Sequence, residues 1–239
     1  MRWVEVAAVT RYRIRYSKEG AARFISHLDM VRTFERVVRR ASLPLSLSEG
    51  FNPHPKFGFG FPLPVGMAGQ NEYVDLMLDS AMDPEQIVCS LERVMPPGLR
   101  VTGACLVEEK SPALMAQIER SVYQVRAARE ELPKGVETLR KCLEDMMGMR
   151  EITIGRRKKD GRNVIFDIRP GLLAFSVREE EAALIIEMEL MTSSSLNVRP
   201  EEVIEAVRGR CGLLNNDCHL YFTRTGIVGP GGRDLFICL

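Results

Sequence analysis

The sequence predicts an α+β protein built from two tandem ferredoxin-like units, and three observations carry that prediction. Short segments with alternating apolar residues recur beside segments with helical periodicity. The order of these segments repeats once, at an offset of roughly 110–120 residues, about one small domain. A linker from Lys110 to Gln117, with Ser111-Pro112 inside it, separates the two copies. The predicted boundaries are 10–110 for a first domain holding the His27 and His54 motifs, and 118–239 for a second holding a basic hairpin. One mixed α+β domain with the same elements is the simpler alternative.

Tyr12 to Tyr16 alternates cleanly and reads as a strand. Ser26 reads as an N-cap, with Asp29 three residues on, for a helix reaching about Ala41. Leu45-Ser-Leu47 and the Phe57, Phe59, Phe61 alternation read as short strands, and Glu72 to Leu78 as a third. Pro84 suits the first turn of a helix that Pro96-Pro97-Gly98 ends, and Leu99 to Val107 closes the unit. In the second half Ser121 to Ala127 is a strand and Gly135 to about Met147 a helix. Asp160-Gly161 marks a hairpin turn. Asn163 to Ile168, Leu173 to Val177 and Ala183 to Met191 are extended. Pro200 then opens a helix as Pro84 does, and His219 to Thr225 is the last strand.

At 239 residues and 45% hydrophobic, the chain can bury a core. The net charge of +1 gives no global field for nucleic acid, so anion affinity must come from local patches. The cysteines Cys89, Cys105, Cys142, Cys211, Cys218 and Cys238 show no C-x2-C and no C-x3-C-x2-C. That spacing excludes a zinc ribbon and the cluster-binding trio of a radical enzyme, so neither cofactor nor metal is expected. Scattered thiols and 12 methionines fit a reduced cytoplasmic protein. The first residues carry Glu5 inside an apolar run too short for a signal segment, and no run approaches the roughly 20 residues of a membrane span.

Three basic patches stand out. Arg32, Arg36, Arg39 and Arg40 fall within about 100° of helical arc, opposite Val31, Phe34, Val37 and Val38. Arginine forks suit phosphate oxygens, so this face is a candidate anion site; a solvated helix face is the plain alternative. Arg11, Arg13 and Arg15 share one face of the first strand, and Tyr12, Ile14 and Tyr16 the other. With the apolar set under the helices, the arginines are expected on the open sheet face, beside a strip left bare by Gly58 and Gly60. The third patch is a hairpin tip with five basic residues in seven: Arg156, Arg157, Lys158, Lys159 and Arg162. Aromatics make up only 7% and sit mostly at core-facing positions, so binding through backbone and shape is expected over base stacking.

Two short motifs complete the candidate site. Arg23-Phe-Ile-Ser-His-Leu-Asp29 places Arg23, His27 and Asp29 at the head of the first helix. Gly50-Phe-Asn-Pro-His-Pro-Lys56 presents Asn52, His54 and Lys56 on a turn stiffened by Pro53 and Pro55. His27 and His54 are weak candidates for general acid–base work, since imidazole titrates near neutrality. His27 is otherwise a structural histidine. No spacing enforces a metal site at His27, Asp29 and His54.

Those two motifs, with Phe34-Glu-Arg-Val-Val-Arg-Arg-Ala41, Pro62-Leu-Pro-Val-Gly66 and Glu72-Tyr-Val-Asp75, resemble the radical-SAM-linked protein family. Its members are bacterial proteins encoded beside, or fused behind, a radical SAM enzyme. The resemblance covers most of residues 12 to 80 and implies a separate radical SAM protein as partner, but no established activity. A more distant similarity is to the CRISPR repeat-processing endoribonucleases, which are tandem ferredoxin-like proteins that cut RNA. Their glycine-rich loop precedes the last strand, whereas Gly226 to Gly232 follows it here and reads as a flexible tail. The expectation is a non-catalytic accessory protein that binds or presents RNA. A metal-independent endoribonuclease using His27 or His54, and a protein-interaction module without RNA affinity, are the alternatives.

Overall fold

The computed structural model describes residues 9–108, 110–131, 135–157, 160–214 and 216–237. The chain is α+β and divides into two units. The first takes in the chain to Ile118 and again from Gly226 onward; the second is Glu119–Thr225. The sequence-based boundary gave all of 118–239 to the second domain, and the tail corrects it.

The first unit runs β1 (Thr10–Lys18), α1 (His27–Arg40), β2 (Phe57–Phe59), β3 (Ala68–Leu78), α2 (Pro84–Glu92) and β4 (Leu99–Val107). Its sheet order is β4-β1-β3-β2, every pair antiparallel. Helix α1 starts where its cap dictates: the Asp29 amide donates to Ser26 Oγ at 3.2 Å. Helix α2 has Pro84 in its first turn behind an Asp83 cap. Leu45-Ser-Leu47 is not a strand of its own. It makes only isolated bridges, Leu45 to Leu78 and Leu47 to Pro55.

Tyr12, Ile14 and Tyr16 meet Phe34, Val37 and Val38 of α1 and Ile87 and Leu91 of α2 in one core. Each such side chain contributes about 1.5–3 kcal/mol on burial. A second, smaller core sits on the opposite sheet face, made by Tyr73, Leu114, Ile118, Ile227 and Leu235. The sequence predicts that face to be open, yet its own chain covers it. A Cβ at Gly60 would lie 3.1 Å from Ile118 Cδ1, so the glycine strip receives the Leu114–Ile118 segment, not a ligand. The Gly226 to Gly232 stretch is likewise no loose tail. It finishes one strand, makes a short turn over Pro230–Gly232, and seats Leu235 in that second core.

The second unit runs β5 (Arg120–Ala128), α3 (Val136–Gly148), β6 (Thr153–Arg157), β7 (Asn163–Asp167), β8 (Leu172–Glu180), β9 (Ala183–Met191), α4 (Pro200–Cys211) and the first residues of β10 (Tyr221–Val228). Its order is β10-β5-β9-β8, and β6-β7 is a separate hairpin. Once the hairpin is set aside, the two units match strand for strand. A disulfide joins Cys142 of α3 to Cys211 of α4, where the sequence reading favours a reduced protein over a disulfide scaffold. No helix among the described residues is long and apolar enough to cross a membrane.

Candidate anion-binding surface of the first unit

The β1 arginines are not on offer. Antiparallel register sets Arg13 directly opposite Asp75 of β3, with Arg11 two residues away on the same face. Asp75 is 0% exposed and accepts from both: Arg13 Nε at 2.8 Å and Arg11 Nε at 3.0 Å. Arg11 also donates to the Ser111 and Pro112 carbonyls, at 2.7 and 2.9 Å. Arg13 reaches the Leu235 carbonyl at 2.7 Å. The pair therefore pins the Ser111–Pro112 segment and the returning tail onto the sheet. Arg13 is 2% exposed, and its expected place in an open anion site is corrected. Arg15 is half-buried, donating to Thr102 Oγ1 at 3.2 Å with its guanidinium 4.4 Å from the Phe236 ring centre.

Helix α1 is different. Arg32, Arg36, Arg39 and Arg40 are all exposed along its outer face. Arg32 pairs with Asp29 at 3.3 Å. Arg36, Arg39 and Arg40 make no ion pair among the described residues. Asp29 stays ionised to lower pH than usual, chiefly because Ser26 donates to it, with Arg32 and Arg36 assisting. Arg36 and Arg40 flank a shallow hollow of about 130 Å³ closed by Val94 and Pro96.

At the head of the helix, Arg23 lays its guanidinium 4.6 Å from the Phe24 ring centre. His27 turns inward, edge-on to Phe59 with ring centres 5.4 Å apart. It lines a cavity of about 20 Å³, room for about one water, with Tyr16, Lys18, Glu72 and Tyr73. Lys18 is 2% exposed and donates to the Ile25 carbonyl at 2.9 Å. Burial, and then the nearby Lys18 charge, push the His27 pKa down, so its imidazole is neutral at physiological pH. Tyr73 is pushed up to about 12, mainly by burial. The sequence pattern singles out His27 but not Lys18 or Glu72. Their strand positions pair Tyr16 with Glu72 and Lys18 with Gly69, a register signal not visible before β3 is aligned.

Asn52, His54 and Lys56 are exposed on the loop before β2. Most aromatic side chains are at least partly buried, as expected, but Phe51 is 107% exposed and Phe24 58%. In the second unit Arg156 is withdrawn from the hairpin surface. It forks onto Glu202 through two 2.8 Å bonds and lies 3.8 Å from the Phe166 ring centre. Arg162 pairs with Asp160 at 2.7 Å, and Arg157 stays exposed. Lys158 and Lys159 lie outside the described residues. No cluster of three or more His, Cys, Asp or Glu able to hold a metal occurs among the described residues.

A family model described as "Uncharacterized protein conserved in bacteria (DUF2344)" matches residues 11–200. No curated protein matches the chain. Among solved structures, a chain of a Cbf5-Nop10-Gar1 complex aligns at TM-score 0.46 and 12% identity, over 90% of this chain and 48% of that one. This chain thus spans about half its length. An unknown protein from Galdieria sulphuraria aligns at TM-score 0.26 and 11% identity, over 90% and 99%. A putative glycine cleavage system transcriptional repressor aligns at 0.23 and 9%, over 90% and 98%.

Proposed function

We propose, from the premise that this chain belongs to the DUF2344 family, that it is a non-catalytic accessory protein that binds and presents RNA to a separate radical SAM enzyme. The observation that carries the RNA part is the outer face of α1, where Arg36, Arg39 and Arg40 stand exposed with no carboxylate within ion-pair distance among the described residues. Guanidinium forks in that state grip phosphate oxygens without first breaking a bond inside the protein. The radical SAM partner rests on the motif resemblance of the first unit. The test is a filter-binding titration with a labelled stem-loop RNA at low salt. Wild-type protein binds, and the R36A/R40A double variant loses about tenfold in affinity. Equal affinity of the two proteins overturns the reading.

A second reading is favoured by the small polar cavity: metal-independent RNA cleavage with neutral His27 as general base. Incubating the same RNA with protein and chelator separates the two. Fragments from wild type that vanish with H27A make it an enzyme; intact RNA leaves it a binder.

A further inference from the structure

Resting on the RNA reading above, we infer that the loop of residues 48–56 is a base-stacking platform, with Phe51 taking an unpaired base while α1 holds neighbouring phosphates. The substrate class is then RNA with a single-stranded or looped segment, not a blunt duplex.

The loop is firmly rooted. The Ser48 amide donates to the His54 carbonyl at 2.8 Å, and the His54 amide to Ser48 Oγ at 2.9 Å. The Lys56 amide donates to the Ser46 carbonyl at 3.0 Å, and the Ser46 amide to Met77 of β3 at 2.8 Å. Leu47 and Pro55 bridge across the base. Residues 49–53 therefore project from a zipped stem. Gly50, at φ +121, turns the chain there in a conformation that side chains resist. Pro53 and Pro55 restrict the return arm, so little freedom is lost when a ligand binds.

Phe51 is the tip. It is fully exposed, although the same unit buries Phe34 completely and half-buries Phe57 and Phe59. The same loop carries Asn52, His54 and Lys56, all exposed, with Glu49 its one acid. An exposed aromatic ring on a loop that also carries an amide, an imidazole and an ammonium suits a nucleobase and its phosphate better than an apolar polypeptide anchor. Stacking accepts any base, so the loop would grip unpaired RNA without reading sequence. The root is also close to the phosphate grip. Arg40 and Ser46 are separated by only five residues, a span of at most about 22 Å.

The experiment uses the full chain and a single-stranded ten-nucleotide RNA carrying one 2-aminopurine, alone and annealed to its complement as a blunt duplex. Wild type binds the single strand more tightly and changes its fluorescence by stacking. F51A loses about tenfold on the single strand, together with the fluorescence change, and keeps its duplex affinity and thermal midpoint. F51W restores both. Wild-type affinity and fluorescence with F51A overturn the inference and leave the ring for a polypeptide. R36A/R40A weakens binding to both probes. If wild type binds neither probe at low salt, the RNA reading itself falls, and the platform with it.

Discussion

Arg11 and Arg13 on β1 and Arg36, Arg39 and Arg40 on α1 belong to one unit, yet the fold uses the two sets in opposite ways. The strand pair is buried around one carboxylate, with its remaining donors spent on backbone carbonyls of distant segments. The helix set faces outward and forms no ion pair among the described residues. The difference lies in what stands opposite. Antiparallel register puts Asp75 across from Arg13, whereas the outer face of α1 is exposed. A guanidinium with an acid in register becomes structure, and one without remains available. Arg156 in the second unit follows the same rule, since Glu202 of α4 claims it.

The sharpest way to break that contrast is to remove the shared acid. Asp75→Asn leaves two buried guanidiniums uncompensated, and the unfolding free energy should fall by about 3–5 kcal/mol. A shift in denaturant midpoint at constant slope reads it out; a loss below about 1 kcal/mol would mean the strand arginines are not structural. Arg156→Ala should cost about 1–3 kcal/mol by removing the fork onto Glu202 and the stacking on Phe166. No loss would return that residue to the hairpin's binding surface.

The helix set should behave in reverse. R36A/R40A is expected to leave the denaturation midpoint in place while RNA affinity falls. The plot of log affinity against log salt should become shallower by about 0.7 for each phosphate the variant no longer neutralises. The smallest effect concerns His27. The folded chain resists protonating it, so the unfolded chain binds the extra proton once pH falls below the ordinary value of 6.5. Its contribution is fully present above that value and declines below it until the folded imidazole also takes up a proton. His27→Gln should flatten this part of a stability–pH curve measured by thermal melts; an unchanged slope would place the ring in solvent.

Local chemistry made much of the fold legible. Ser26, Pro84 and Pro200 mark helix starts because capping depends on a few adjacent residues. The alternation in β1 separated its two faces correctly. Alternation cannot say what covers a face, however. The cover on the Arg13 side comes from Leu114, Ile118, Ile227 and Leu235, which are far from β1 in sequence. The same distance hid Asp75 as a partner, the cavity around His27, and the Cys142–Cys211 link across 69 residues. Of the candidate site, the α1 arginines and the Pro-flanked loop were readable because each lies on one contiguous segment. Phe51 was passed over because its neighbours Phe57, Phe59 and Phe61 alternate as a strand, and one aromatic between Gly50 and Asn52 has no such pattern.

The return of the tail bears on how the molecule is made. A ribosome delivers β1 early, but Leu235, whose carbonyl Arg13 needs, only after the whole of Glu119–Thr225. At translation speeds of about 5–20 residues per second, that interval lasts roughly 5–20 s. Through it the second core of the first unit lacks Ile227 and Leu235. Its maturation is thus tied to synthesis of the segment from Gly226 onward, and the usual sequence of one finished domain followed by the next does not apply.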